Sequence, residues 1–150
     1  MMTATEQANV RLVLEHFAAE SKHDHAATLA TLADDIEYRN ISNGSVLRGK
    51  QEVSRYYDAW WTGFPDVTIE VGRIVASGEW VIAEAVSTAT HLGPYLGVPP
   101  TGKRVVSHVC TLIRLRDGKM VEESVYYDAV ERLAQMGSVL ALDGHRVTPG

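Results

Sequence analysis

Apolar residues in the first part of the chain recur every three or four positions, which is the spacing of one face of a helix. The residues that follow this spacing are Val10, Val13, Leu14 and Phe17. They predict a first amphipathic helix. Glu15, Glu20 and Lys22 are assigned to its polar side.

Two further helices are predicted before the middle of the chain. Asp24 is the expected N-cap of a short second helix, because its side chain can accept a hydrogen bond from a free backbone N–H. A third helix follows Gly49 and ends at Phe64-Pro65-Asp66, since the residue before a proline disfavours the helical region. Its predicted buried face carries Val53, Tyr57, Trp60 and Phe64.

From Val67 onward the apolar spacing changes to two, which predicts strands. Strands are expected from Val67 and near Trp80, Lys103 and Lys119, with an earlier short strand over 34–41. A last helix is predicted from its cap Asp128 to Gly137. Helices followed by a meander of long strands predict one α+β domain over 1–150, with a curved antiparallel sheet around the N-terminal helices. The core is expected over about 8–137, and the tail 138–150 either stays loose or folds over the pocket.

The alternation along each strand predicts which side chains face inward. In the strand near Trp80, the small and mostly apolar inner face runs from Val81 to His91. For the hairpin at Arg116–Lys119, a bulged three-residue loop is favoured over a two-residue loop. The three-residue loop sets Thr111 opposite Glu123. The polar residues predicted on the inner faces are Tyr38, Asn40, His91, Ser107, Thr111, Glu123 and Tyr127. An apolar cavity with a few polar groups is typical of a small-molecule site.

Charge and composition narrow the class of partner. The chain has 14 Lys and Arg against 19 Asp and Glu, for a net charge of -5, without the basic stripe of a nucleic-acid binder. Cys110 is the single cysteine, which fits a reducing compartment. Neither a signal peptide nor an apolar stretch of about 20 residues is visible. We therefore expect a cytoplasmic protein that binds neither nucleic acid nor a membrane.

Glu123 is the first candidate for chemistry. A carboxylate that faces an apolar cavity has a raised pKa, which suits general acid/base work. The alternatives are that it pairs with a buried partner, or that the register differs and it is a solvated surface group. His91 is the candidate partner, because it titrates near neutrality, or else a structural histidine that closes the end of the sheet.

The remaining candidates would bind or polarise a substrate. Tyr38 and Tyr127 could donate to an enolate oxygen, although packing with a tethered hydroxyl explains them equally well. Asn40 could orient a carbonyl or simply end a strand. Trp60 is expected to line the cavity, with core packing as its default role. The histidines show no metal-site spacing, and no phosphate-binding loop is present, so neither metal nor cofactor is expected.

Three segments resemble the SnoaL-like polyketide cyclase group of the nuclear transport factor 2-like superfamily. They are GFPDV at 63–67, THLG with GVPPTGK at 90–103, and RDGKMVEE at 116–123, the last leading to Tyr126-Tyr127-Asp128. The resemblance covers about 8–137 and implies a cone-shaped α+β barrel that dimerises through the outer sheet surface. It also implies cofactor-free aldol ring closure by an aspartate on the final strand, aided by a histidine on its neighbour. The matching positions here are Val125 and Thr111.

These observations support three hypotheses. The first is a cofactor-independent enzyme that moves a proton through Glu123 on a hydrophobic carbonyl compound, in a cyclisation, isomerisation or dehydration, with Tyr38, Asn40 or His91 stabilising the enolate. The second is a non-catalytic carrier or sensor that binds a ligand in the same cavity, which Val125 favours. The third is a dimeric interaction module that uses the outer face of the sheet.

Overall fold

The computed structural model describes residues 1–137, together with the backbone of 140–142 and 145–147. The helices are α1 (Ala4–Ser21), α2 (His25–Ala30), α3 (Gly49–Gly63) and α4 (Ala129–Gln135). The strands are β1 (Leu32–Asn40), β2 (Ser45–Arg48), β3 (Thr68–Ser77), β4 (Trp80–Thr90), β5 (Arg104–Arg116), β6 (Lys119–Tyr127), β7 (Leu140–Leu142) and β8 (His145–Val147). The prediction that the tail 138–150 stays loose or folds over the pocket falls on side chains that lie outside the described residues.

Six strands form one curved, unclosed sheet in the order β2-β1-β6-β5-β4-β3. The helix α1 packs on β3 and β4, whereas α3 packs on β1 near the other edge, so the sheet wraps around the helices. The predicted α+β class is confirmed. The sheet is not wholly antiparallel, because β1 runs parallel to β6, and the short strand β2 was not predicted.

The predicted helix boundaries are close to those observed. Asp24 caps α2 and Asp128 caps α4, each accepting a backbone N–H with its carboxylate. The buried face of α3 includes Val53, Tyr57 and Trp60, as predicted. The polar assignment of Glu20 was wrong, because this side chain is buried on the same face of α1 as Val13. Positions separated by seven residues return to the same helix face.

Strand phase was predicted more accurately than register. In β4 the inner residues from Val81 to His91 are mostly buried, and Ile82 on the opposite face is exposed. The hairpin prediction was wrong: the loop is a two-residue Asp117-Gly118 turn with positive φ at both residues, as in a type I′ turn. An irregularity follows at Val121, where Arg114 pairs with Glu122 but Leu115 pairs with Met120. This extra residue leaves the predicted inner face of β6 unchanged while it sets Ile113 opposite Glu123.

Within the residues the structure describes, no helix is long and apolar enough to cross a membrane.

Candidate active site

The concave side of the sheet and the helices line a cavity that opens to solvent. Most of its wall is apolar and aromatic, with carboxylates at one part and a guanidinium at another. The lining residues are Phe17, Glu20, Tyr38, Tyr56, Trp60, Ile69, Ala85, Ser87, Val109, Thr111, Glu123, Val125, Tyr127 and Arg132. This composition is typical of a site for a small organic molecule.

Glu123 lies deep in this cavity, with 3% of its surface exposed. It is in register with Tyr38 on β1 and with Ile113 on β5, so its side chain stands on the central strand of the concave face. Within residues 1–137 its carboxylate has neither an ion pair nor a hydrogen bond. Burial raises the pKa of Glu123 to about 7; the positive charge of His16 opposes this rise and the negative charge of Glu20 adds to it. The group is therefore both protonated and ionised in comparable amounts near neutral pH.

His16 and Glu20 form a buried ion pair one helical turn apart on α1. The His16 Nε2 lies 3.1 Å from the Glu20 Oε1, and the Tyr57 hydroxyl donates to the same Glu20 oxygen at 2.5 Å. The Thr31 hydroxyl donates to the Thr28 carbonyl, so it accepts from His16 Nδ1 at 2.7 Å. With Nδ1 as the donor to Thr31, Nε2 carries a proton towards Glu20 when the ring is the imidazolium. Burial alone would lower the pKa of His16, but the Glu20 carboxylate, with Glu123, raises it, so the imidazolium is favoured.

Tyrosines supply neutral hydrogen-bond donors along the wall. Burial, with the nearby Tyr56 and Glu123, raises the pKa of Tyr38 well above 10, so its hydroxyl keeps its proton. The ring of Tyr38 packs on Tyr56 with centroids 5.0 Å apart, and Tyr56 stacks on Trp60. The Tyr127 hydroxyl accepts from Asn40 Nδ2 at 3.3 Å, which leaves its own proton available to a ligand.

The predicted site residues divide into those that line the cavity and those that stand behind it. Those on the wall are Tyr38, Trp60, Thr111, Glu123, Val125 and Tyr127. Asn40 and Ser107 support lining residues, since Asn40 donates to Tyr127 and Ser107 accepts from Arg132. His91 is fully buried, contacts Thr101 through Nδ1 at 3.0 Å and packs on Phe64, and it does not line this cavity. Burial lowers the pKa of His91.

The sequence interpretation overlooked several polar groups in the cavity region. His16 and Glu20 fall at the third and seventh positions after Val13, on the apolar stripe of α1, and this coincidence could have marked them as buried. Arg132 gave no such signal, because arginine is mostly exposed and α4 is short. In the described part of the chain, no group of three His, Cys, Asp or Glu side chains is arranged to hold a metal ion.

The two positions that depart from the resembling cyclases face each other. Thr111 on β5 is the direct antiparallel partner of Val125 on β6, and both line the cavity. The Thr111 hydroxyl is buried and has no hydrogen-bond partner among the described residues. The neighbouring inner pair on the same two strands is Ile113 and Glu123. A carboxylate thus stands one pleat away from the position at which the resemblance implies an aspartate.

Residues 8–136 match the family of SnoaL-like polyketide cyclases. The chain belongs to this family. A curated relative, nogalonic acid methyl ester cyclase of Streptomyces nogalater, is 33% identical over 72 residues, which are 48% of this chain and 54% of the relative. The alignment thus spans about half the length of that relative.

Solved structures similar to this chain agree with it in fold. AclR of Streptomyces galilaeus, a proposed hydroxylase, is 29% identical with a TM-score of 0.78, over 88% of this chain and 97% of that one. IdmH of Streptomyces antibioticus, a proposed polyketide cyclase, is 26% identical with a TM-score of 0.75, over 86% and 98%. A SnoaL-like protein of Jannaschia sp. CCS1 has a TM-score of 0.85 at 23% identity, over 91% and 96%, which shows the shared nuclear transport factor 2-like fold.

Proposed function

We propose that this member of the SnoaL-like family is an enzyme that moves a proton on a hydrophobic carbonyl compound, with Glu123 as the acid/base. The observation that carries the proposal is the position of Glu123. Its carboxylate is buried, lines an aromatic cavity and lacks a hydrogen-bond partner within residues 1–137. A carboxylate in that state is available to a substrate and has a pKa near the working range of a general base.

The first step is removal of a proton from the carbon next to a carbonyl. The C–H bond breaks, the proton passes to Glu123, and the electron pair moves to the carbonyl oxygen as an enolate. Tyr38, whose hydroxyl stays protonated and whose strand position is paired with Glu123, is the donor that can stabilise this oxygen. Tyr127, which Asn40 positions, is a donor further along the wall.

The second step returns the proton. In ring closure, the enolate carbon bonds to a second carbonyl carbon, and the new alkoxide takes the proton from Glu123. In isomerisation, Glu123 returns the proton to a different carbon of the same conjugated system. Both routes regenerate the Glu123 carboxylate and require no electron acceptor. The family and the nogalonic acid methyl ester cyclase relative favour the ring closure.

His16 and Glu20 support this chemistry from α1. Burial of Glu123 in an apolar wall favours its neutral form, and the imidazolium of His16 counteracts that effect. The pair with Glu20 keeps His16 charged in a fully buried position. These residues therefore tune the proton affinity of Glu123 without contacting the reacting carbon.

Deuterium exchange measures the proposed first step even when the natural product is unknown. Aromatic ketones such as α-tetralone and aromatic β-diketones are incubated in D₂O with the protein, and label at the α carbon is followed by NMR. We expect exchange above the buffer rate, and a loss of about a hundredfold or more in Glu123→Gln. Glu122→Gln, whose ion pairs with Arg39 and Arg114 lie on the other face of β6, is the matched control. Exchange equal in Glu123→Gln and the parent, or absent from the parent, contradicts the proposal.

A non-catalytic carrier is the second candidate function, and the pair of Thr111 and Val125 favours it. This pair replaces the aspartate and histidine that the resemblance implies, yet the cavity around it remains lined and open. A carrier would bind the same aromatic ketones and exchange none of their protons. The deuterium assay combined with calorimetric binding therefore separates the two functions.

We also propose that the chain forms a homodimer through the outer face of the sheet. The cross-strand partners Val75 and Ile82 are both exposed there, and Tyr126 is exposed on the same sheet. Exposed apolar patches of this kind favour protein contacts. Light scattering should show a dimer in the parent and a monomer in Ile82→Arg; a monomeric parent would exclude the arrangement. The cytoplasmic location expected from the single cysteine stays a prediction.

A further inference from the structure

Arg132 is a buried cation on the cavity wall. It projects from α4, and 7% of its surface is exposed. Its Nε donates to the Ser107 hydroxyl at 3.0 Å, and its guanidinium carbon lies 3.6 Å from the centre of the Tyr127 ring. The ring and the hydroxyl fix the plane of the guanidinium. The Tyr95 hydroxyl lies close enough to the guanidinium for a hydrogen bond. No carboxylate of the described residues forms an ion pair with the terminal nitrogens, so they can still bind an anion.

No anion among residues 1–137 balances this charge. Glu20 is paired with His16, and the Asp128 carboxylate accepts the Glu131 N–H at the start of α4. Burial raises the pKa of both Tyr56 and Tyr95, with the charge of Arg132 opposing the rise, so both phenols remain neutral. Burying a charge without a partner has a large desolvation cost. A guanidinium at this place is therefore unusual unless a ligand supplies the opposite charge.

The register sets the distance between this cation and Glu123. Tyr127, under the guanidinium, is paired with Val109, whereas Glu123 is paired with Ile113, and the two pairs are four residues apart on each strand. At about 3.3 Å per residue, the two levels are about 13 Å apart. Val125 lies between these levels on β6, and Tyr56 and Trp60 also line the cavity. A ligand that reaches both ends is therefore elongated, and the aromatic wall suits a flat ring system.

We propose that Arg132 is a carboxylate-binding subsite, and that the cavity takes an elongated aromatic acid whose carbonyl end lies at Glu123. The carbonyl end rests on the proposed function of Glu123, whereas the carboxylate subsite does not. A planar guanidinium whose terminal nitrogens face no carboxylate matches the two oxygens of a ligand carboxylate, whereas an ester brings no negative charge to neutralise. The curated relative is named for a methyl ester, so this chain should differ from it in preferring the free acid.

Calorimetric titration with a matched pair of probes tests the subsite. The probes are an anthraquinone carboxylate and its methyl ester, which share the ring system and differ in charge. We expect the parent to bind the acid about tenfold or more tightly than the ester. Arg132→Gln should lose about tenfold to a hundredfold in affinity for the acid while its affinity for the ester changes less than about threefold. Retained ester binding shows that the cavity of the variant is still formed.

Two further variants guard against a general effect of charge or folding. Arg73→Gln removes the same charge from an exposed arginine paired with Glu84, and it should keep the acid preference of the parent. Arg132→Lys keeps a cation but loses the planar pair of donors, so its preference should be intermediate. The proposal is overturned if the parent binds both probes equally, or if Arg132→Lys and Arg132→Gln leave the acid preference unchanged.

The same titration in Glu123→Gln separates this proposal from the proposed function. The acid preference should persist there, although deuterium exchange is lost. Acid preference without exchange in the parent would refute the role of Glu123 and support the subsite alone. Glu123-dependent exchange without acid preference would refute the subsite and support the proposed function alone.

Discussion

Glu123 and Val125 point into the same cavity from one strand, with Ser124 between them. Their Cα atoms are about 7 Å apart, the repeat of one pleat. Val125 occupies the position at which the resemblance implies an aspartate, and its cross-strand partner Thr111 occupies the position at which it implies a histidine. The Glu123 carboxylate that we propose as the acid/base therefore stands one pleat away from that position.

Introducing an aspartate at the family position should raise the pKa of Glu123 further. In Val125→Asp two carboxylates would share an apolar wall, and like charges favour the neutral form of one of them. The acid limb of the pH profile of deuterium exchange should move upward by about one unit. Val125→Asn is the isosteric control and should leave the limb near its parent position. An unchanged limb in Val125→Asp would show that the two side chains do not share one environment.

Removing the positive charge of His16 should also raise the pKa of Glu123. His16→Gln leaves the Glu20 carboxylate unneutralised near Glu123, so the pKa of Glu123 should rise by about one unit or more. The double variant His16→Gln/Glu20→Gln removes both charges and should show a smaller rise. For both variants, the acid limb of the pH profile is measured by deuterium exchange between pH 5 and 9. A downward movement in His16→Gln would contradict the assigned electrostatics.

Glu123 should make folding stability depend on pH. Its pKa is raised from 4.5 to about 7, so the folded state binds the proton more tightly than the unfolded state. Stability is therefore highest below the unfolded pKa and is lost as pH rises from about 4.5 to about 7, by about 3 kcal/mol in total. Glu123→Gln lacks this loss.

Urea unfolding at pH 5 and pH 8 measures that difference. From pH 5 to pH 8, the free energy of unfolding of Glu123→Gln should increase by up to about 3 kcal/mol relative to that of the parent. Glu122→Gln, on the outer face, should follow the parent. The same pH dependence in the parent and in Glu123→Gln would mean that the carboxylate is not buried as described.

Thr111 allows a test of whether a ligand uses its hydroxyl. Its hydroxyl is buried and lacks a partner among the described residues, so Thr111→Val should raise the free energy of unfolding by about 1 kcal/mol. If ligands use this hydroxyl, the same variant should bind aromatic ketones more weakly. Thermal unfolding and calorimetry give the two quantities. Destabilisation by Thr111→Val would show that the hydroxyl has a partner in the fold.

The sequence predicted those parts of the fold that depend on local periodicity. The inner faces of β4 and β6 and the caps Asp24 and Asp128 follow from rules that span a few residues. The hairpin register could not be predicted, because an irregularity at Val121 changes the pairing without changing the apolar pattern. The parallel pairing of β1 with β6 is likewise a long-range choice that local spacing does not determine.

The candidate site was predicted on the sheet and missed on the helices. Tyr38, Thr111, Glu123 and Tyr127 were found because strand alternation places them on the inner face. The ion pair of His16 and Glu20 was missed because a glutamate on an amphipathic helix is usually solvated. The interaction with His16 offsets the desolvation cost of burying the Glu20 carboxylate. The burial of Arg132 likewise depends on partners that local spacing does not reveal. Ser107 is 25 residues away in the sequence, and Tyr127 lies on a strand rather than on α4.

The pH dependence of deuterium exchange by the parent protein tests the central claim most directly, since a general base must be ionised to act. Because the pKa of Glu123 is raised to about 7, the exchange rate should increase through a single ionisation near pH 7 and then level off. Glu123→Asp should keep an ionisation of this kind at a lower rate, and Glu123→Gln should abolish it. An ionisation near pH 4.5, or a profile that Glu123→Gln leaves unchanged, would contradict the assignment of Glu123 as the acid/base.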